Sequence, residues 1–231
     1  SGHSRSGDVL SVVLMLLYLL STLALALMAV VTAELQRRFG LSASQLGLLT
    51  SAFMLVYGAI GIPAGALAAR WGGRVLAASC VLFVAGSLVF GLSSSYGGFL
   101  AGRILQGLGG GMVLPVSSPV IARHLAPEAR NRGWGIFATG KGFGALVALL
   151  VMPSVATLGG FRAVYLVTAG MAVVIGAIAL AQRPVRALPA EVAPAGATST
   201  VEGGAAAAGS APGDAARPPA AKPVTFAALG S

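Results

Sequence analysis

Gly65–Arg74 reads GALAARWGGR: two bases and three glycines set between two long uncharged runs. Leu41–Ala69 upstream carries no charge, and neither does Val75–Gly102 downstream. A helix rises about 1.5 Å per residue and the hydrocarbon core of a bilayer is about 30 Å thick, so each run is long enough to cross. Arg70 and Arg74 therefore mark a tight loop where the chain leaves a membrane and re-enters it.

Outward from that loop, six apolar runs follow one another. They predict helices at about Val9–Ala33, Ala43–Ala69, Val75–Leu92, Phe99–Ala122, Gly133–Leu158 and Ala163–Gln182. Ser42 can cap the second. The expected connections are Glu34–Gly40, the turn cluster Ser93–Gly98, the charged stretch Arg123–Arg132, and Gly159-Gly160-Phe161-Arg162. Val31-Thr32-Ala33 looks like a signal-peptide cleavage site. The 25 uncharged residues of Val9–Ala33 nevertheless exceed the roughly 7–15 of a signal core, so this run reads as a spanning helix.

The composition agrees. Of 231 residues, 56% are hydrophobic and only 9% charged, against about 25% in soluble domains. The net charge of +9 would point a soluble chain toward nucleic acid. Here the bases lie between apolar runs, where membrane orientation accounts for them and no nucleic-acid partner is expected. Near the helix ends, one side holds Arg5, Arg70, Arg74, Arg123, Arg130, Arg132, Arg183 and Arg186; the other holds Arg37, Arg38 and Arg162. The excess places both termini in the cytoplasm of a multi-pass cell-membrane protein. Cys80 has no second cysteine to pair with.

Three segments are expected: a cytoplasmic N-terminus at 1–8, a six-helix bundle at 9–182, and a flexible cytoplasmic linker at 183–231. The linker is rich in Ala, Pro and Gly and cannot bury enough apolar surface to fold alone. Ser1 in place of Met, and a final Pro223–Ser231 that turns apolar again, suit a fragment cut before another helix. Small residues four apart let helix backbones approach closely. Gly61 with Gly65, Gly107 with Gly111, and Gly140 with Gly144 are the candidate packing pairs.

Arg103 and Lys141 are the only charges well inside the expected helices. A base at mid-bilayer costs about 2.5–3.5 kcal/mol on insertion scales, so such a residue normally faces a wet cavity, a partner or a ligand. Lys141 lies nine residues past Arg132, roughly 13–14 Å along a helix, near half depth. Gly140, Gly142 and Gly144 clear space around it. That arrangement suits the anionic group of a substrate; a structural lysine bonded to a carbonyl is the alternative. Arg103, near the outer end of its helix, can snorkel toward the surface and bond loop carbonyls.

The two basic motifs together resemble the major facilitator superfamily. Gly65, Leu67, Ala68, Arg70, Gly72 and Arg74 match its helix 2–3 loop pattern G-x-L-A-D-R-x-G-R-R, with Ala69 in place of Asp. Arg103, Gln106, Gly107 and Gly109 match its helix 4 pattern R-x-x-Q-G-x-G. Gly-Gly-Phe-Arg after helix 5 resembles the Gly-Trp-Arg common there. The resemblance implies an all-α membrane fold: six transmembrane helices as two inverted three-helix repeats, half of a twelve-helix transporter. It implies that helices 1 and 4 line a central path. It also implies a cytoplasmic gate at Gly65, Arg70, Gly72 and Arg74, and a polar network at Arg103 linked to proton movement or state switching.

Departures narrow the choice. Helix 5 has Ala145 where the antiporter signature has Pro, which weakens a drug-efflux reading. Gly61 before Ile62-Pro63, where nitrate porters carry Arg, speaks against nitrate. Between Val9 and Gln182 the only carboxylates are Glu34 and Glu128, both expected at loops. Embedded proton relays usually need a carboxylate or His, so proton coupling would rest on Arg103 with Glu34, on a missing half, or be absent, with exchange of one anion for another as an option. No metal-ligand spacing, nucleotide loop or embedded Ser–His pair is present, so neither a cofactor nor an enzymatic role is expected.

The expected function is alternating-access transport of a small organic or inorganic anion. Lys141, Arg103 and Gln106 would contact the substrate. The expected partners are that solute, membrane lipid, and a missing C-terminal half or a second copy of the chain. Drug efflux by the same fold is the alternative. A non-transporting six-helix scaffold would apply if the chain ended at Ser231.

Overall fold

The structure, a computed structural model, describes residues 2–71, 73–125 and 127–181, with backbone alone at 2–8, 69, 73, 123 and 124. Gly72 and the expected linker at 183–231 lie outside the described residues.

All regular structure among them is helical: α1 (Gly2–Phe39), α2 (Ala43–Trp71), α3 (Gly73–Leu92), α4 (Tyr96–Gly111), α5 (Val113–His124), α6 (Pro127–Leu146), a π-helical turn (Val147–Val151) and α7 (Met152–Ala181). Five runs are long and apolar enough to cross a membrane: Val9–Phe39, Ala43–Ala68, Arg74–Leu92, Tyr96–Ala122 and Pro127–Ala181. The fifth has 55 residues. Straight, it would reach about 80 Å, more than twice the hydrocarbon thickness. It bends at Gly159 and Gly160, which hold non-helical torsions; Gly160 has φ +66°, a conformation that costs any residue with a Cβ. The Gly-Gly turn is therefore real, although helix continues on both sides of it.

Several expected boundaries are corrected. Glu34–Phe39 is not a loop: α1 continues to Phe39 and stops at Gly40, whose φ is +64°. Arg123–Arg132 is almost entirely helical. α5 runs to His124 and α6 begins at Pro127, with proline at the first helical position and Glu128 in the first turn. Charged residues end a hydrophobic span but are good helix formers, so these helices continue past the apolar run into water. The fourth span divides at Met112, because Pro115 has no N–H to offer the Gly111 carbonyl. Pro153 acts likewise: the helix widens to a π-turn, and Met152 N–H bonds to the Val147 oxygen. The starts of α2 and α4 are fixed by side chains. Ser42 and Gln45 form a reciprocal capping box, and Ser95 Oγ accepts from Gly98 N–H.

Glycines set the helix crossings. A Cβ on Gly109 would lie 2.6 Å from Phe83 N and 2.6 Å from Ser79 O, and one on Gly86 would lie 2.6 Å from Gln106 N. These contacts bring α3 and α4 together antiparallel, and Ser79 Oγ donates to Gly109 O across the seam at 2.6 Å. Gly107 meets the Phe53 carbonyl and Gly111 the Tyr57 carbonyl, so α4 and α2 cross in parallel. Gly140 meets the Met15 carbonyl and Gly144 the Leu19 carbonyl, so α6 and α1 also run parallel. Nothing lies within 4 Å of a Cβ on Gly61 or Gly65, and α2 buries least of the five runs. Behind these crossings α3 packs on α7, with Gly91 against Tyr165 and Gly176 against Cys80.

Candidate functional site

Lys141 is exposed. α6 begins at Pro127 and the bend comes at Gly159, so Lys141 lies about 21 Å from the first and 27 Å from the second along the helix. It therefore sits in the middle of its rod. The residue before it is pressed onto α1: Gly140 is buried, and its carbonyl accepts from Thr22 Oγ1 at 3.3 Å. Lys141 follows one position around the helix and stands on the flank beside α1.

An aromatic ladder occupies the same flank. Phe137, one turn before Lys141, is 2% exposed, and Tyr18 of α1 stacks on it at 4.8 Å with 13° between the planes. Trp134, seven residues before Lys141 and so on the same face, meets Phe137 edge-on at 5.6 Å. Tyr18 and Trp134 are both half-buried. Gly110 of α4 lies between Ser21 of α1 and Tyr57 of α2, each about 3.5 Å from where its Cβ would be. The half-exposed Tyr57 ring is thus brought to the Tyr18 side of the bundle. Two threonines border the site with their hydroxyls already committed. Thr22 Oγ1 donates to backbone carbonyls, and Thr139 Oγ1 bonds to Ile136 O at 2.7 Å.

Arg103 and Gln106 lie deeper, at 0% exposure. Arg103 Nη1 donates to Ala24 O at 2.8 Å and to Gln106 Oε1 at 3.2 Å. Gln106 Nε2 donates to Ser87 Oγ at 2.9 Å, which bonds on to Phe83 O. The guanidinium carbon stands 4.8 Å above the Phe53 ring, and Phe53 stacks on Tyr57 at 5.8 Å. Nε and Nη2 of Arg103 have no partner among the described residues. Arg103 is thus an internal strut joining α1, α2, α3 and α4, not a snorkelling residue. It connects to Tyr57 through Phe53.

Arg70 and Arg74 are exposed where α2 gives way to α3. At the opposite end of α1, Glu34 Oε2 accepts from Phe161 N–H at 2.6 Å and so caps the helix that restarts after the Gly159–Gly160 bend. Arg38 stands 3.7 Å from Glu34 and 5.9 Å from the Phe161 ring centre. Among the described residues no cluster of His, Cys, Asp or Glu could hold a metal ion.

Lys141 was expected in a clearing made by Gly140, Gly142 and Gly144, but α1 fills the space at Gly140 and Gly144 and only Gly142 is open; Tyr18, Tyr57 and Trp134 were missed. Trp134, Phe137 and Lys141 do fall in one i, i+3, i+7 stripe, which was the available signal for part of the ladder. Tyr18 lies 119 positions before Phe137, and only the α1–α6 crossing brings the two together.

The described residues form a helical bundle with five runs long and apolar enough to cross a membrane. The chain belongs to the Major Facilitator Superfamily, whose sequence profile matches residues 14–229. It is 36% identical over 140 residues to the MFS-type transporter YhcA of Bacillus subtilis, covering 60% of this chain and 26% of that protein. It is 27% identical over 179 residues to the methylenomycin A resistance protein of the same organism, covering 77% and 38%. "Probable anion transporter 4, chloroplastic" of Arabidopsis thaliana is 32% identical over 135 residues, covering 57% and 25%. The chain thus spans between a quarter and two fifths of the length of these relatives. Among solved structures, a bacterial homologue of the lysosomal transporter Spinster superposes with a TM-score of 0.70 at 22% identity, over 84% of this chain and 46% of that one. The peptide transporter POT in complex with sulfate superposes with a TM-score of 0.69 at 19% identity, covering 80% and 40%. Both likenesses are of fold.

Proposed function

We propose that this chain forms one six-span half of an alternating-access transporter for a small anion, with Lys141 as the substrate's charge partner. The observation that carries the reading is the position of Lys141: mid-rod, exposed, and next to a glycine contact that holds its backbone against α1. Among the described side chains a cation there has no carboxylate to neutralise it, since Glu34 and Glu128 lie near helix ends. An aqueous path and an incoming anion fill that need. Relatives that carry the name anion transporter support the same choice.

The crossings support an inverted repeat. A two-fold exchange of the first three spans with the last three would turn the parallel α1–α6 contact into the parallel α4–α2 contact. The antiparallel α3–α7 contact would map onto itself. Six spans then put both termini on the cytoplasmic side, with Arg70 and Arg74 at a gate that includes Gly65 and Gly72. The thinly covered face of α2, with Leu48, Leu55 and Ile62 exposed, is where a second half, or a second copy, would close the path. Arg103, Gln106 and Ser87 brace the wall behind the site and stiffen it between states.

Drug efflux is the second reading, favoured by the resemblance to the methylenomycin A resistance protein. Counterflow in proteoliposomes decides. Lys141→Gln should abolish uptake of the transported anion, whereas a drug carrier would retain drug movement in that variant. Undiminished uptake of every anion tried would remove Lys141 from the site.

A further inference from the structure

We infer that the anion taken at Lys141 is an organic acid with a flat aromatic body, not an inorganic oxyanion. The inference rests on Lys141 being the charge partner and adds what surrounds it.

The polar side chains near Lys141 are few: Thr22, Thr139, and the hydroxyl and N–H edges of Tyr18, Tyr57 and Trp134. An inorganic oxyanion entering a membrane site exchanges a full hydration shell for protein donors, and it needs several of them. Thr22 and Thr139 have given their protons to backbone carbonyls. The neighbouring helix backbone is internally bonded. Lys141 supplies one charge, enough for one carboxylate with its outer edge left in water.

The apolar groups are many and ordered. Phe137, held at 2% exposure, backs the ladder, and Tyr18 and Trp134 each present a partly open ring. Trp134 is seven residues from Lys141, about 10 Å along α6, and the lysine stem can reach back over much of that interval. Ring-on-ring contacts are worth about 0.5–1.5 kcal/mol each beyond area burial, and they demand a flat partner.

Trp134 is also the reporter. Besides it the chain has only Trp71, so a Trp71→Phe background isolates its fluorescence. The full chain in lipid nanodiscs is titrated with 4-nitrobenzoate as a quencher, with empty nanodiscs as the partition control, and with phosphate as a competitor. The expected result is saturable quenching at least tenfold tighter than phosphate binding. Tyr18→Ala should weaken it at least tenfold, Tyr18→Phe should restore it, and Lys141→Gln should abolish it. Lys141-dependent binding of phosphate as tight as that of 4-nitrobenzoate would overturn this inference and leave the anion reading standing. So would binding indifferent to Tyr18→Ala in a chain that stays folded. If no anion bound in a Lys141-dependent way, the anion reading itself would fall and this inference with it.

Discussion

Gly109→Ala should loosen the bundle at the α3–α4 crossing. The added methyl would stand 2.6 Å from Phe83 N and 2.6 Å from Ser79 O, whereas ordinary contact begins at 3.4 Å. Both obstacles are backbone, so no rotamer change relieves them, and α3 and α4 must part by about 0.8 Å. Overpacking of this kind costs about 1–3 kcal/mol. Stretching the 2.6 Å Ser79–Gly109 hydrogen bond costs up to about 1 kcal/mol more, and alanine's better helix propensity returns about 1 kcal/mol. The net loss is about 0–3 kcal/mol, a fall in melting temperature of up to roughly 12 °C for a chain of this size. Thermal unfolding in detergent, followed by circular dichroism, reads it. Gly61→Ala is the control: its Cβ meets nothing within 4 Å, so its melting temperature should stay level or rise. Equal losses in the two variants would refute the crossing as described.

Arg103→Met should leave melting temperature roughly level, because it removes two buried donors that have no partner among the described residues but also loses the bonds to Ala24 O and Gln106 Oε1 and strands the Gln106 oxygen. The same variant should cut anion uptake at least tenfold if the strut holds the wall. Gly160→Ala should destabilise by about 1–2 kcal/mol, since it forces a left-handed torsion and drives a methyl against Glu34. Thermal unfolding checks that, and Glu34→Gln should cost less because it keeps an acceptor for Phe161 N–H.

The spans were legible because lipid leaves the chain so little choice: every backbone polar group must be bonded internally, so an apolar run of about 20 residues reads as a helix. Their ends were not. Glu34–Phe39 and Pro127–Arg132 were read as loops from their charge, yet charge ends only the apolar segment, and the backbone has no reason to unwind in water. The π-turn before Pro153 was missed because proline removes one bond without dictating how the helix absorbs the loss. Gly107, Gly111, Gly140 and Gly144 were read as contacts from their spacing, and each has a neighbouring backbone against it. Gly61 has the same spacing but open space beside it, because what a glycine faces depends on helix rotation that sequence alone does not fix. Lys141 stood out as a charge in an apolar run. Tyr18 and Trp134 did not, since aromatic residues in a membrane helix are ordinary until a crossing lines them up.

The central claim is that water reaches Lys141 at mid-depth, and cysteine accessibility tests it most directly. Cys80 is the chain's single cysteine, so a Cys80→Ser background leaves one thiol in Lys141→Cys. Val174→Cys, on the exposed flank of α7, serves as the lipid-facing control. In intact membrane vesicles, a charged, membrane-impermeant thiosulfonate should label position 141 and spare position 174. If position 141 reacted no faster than position 174, the side chain would face lipid, and the account of an anion path would be contradicted.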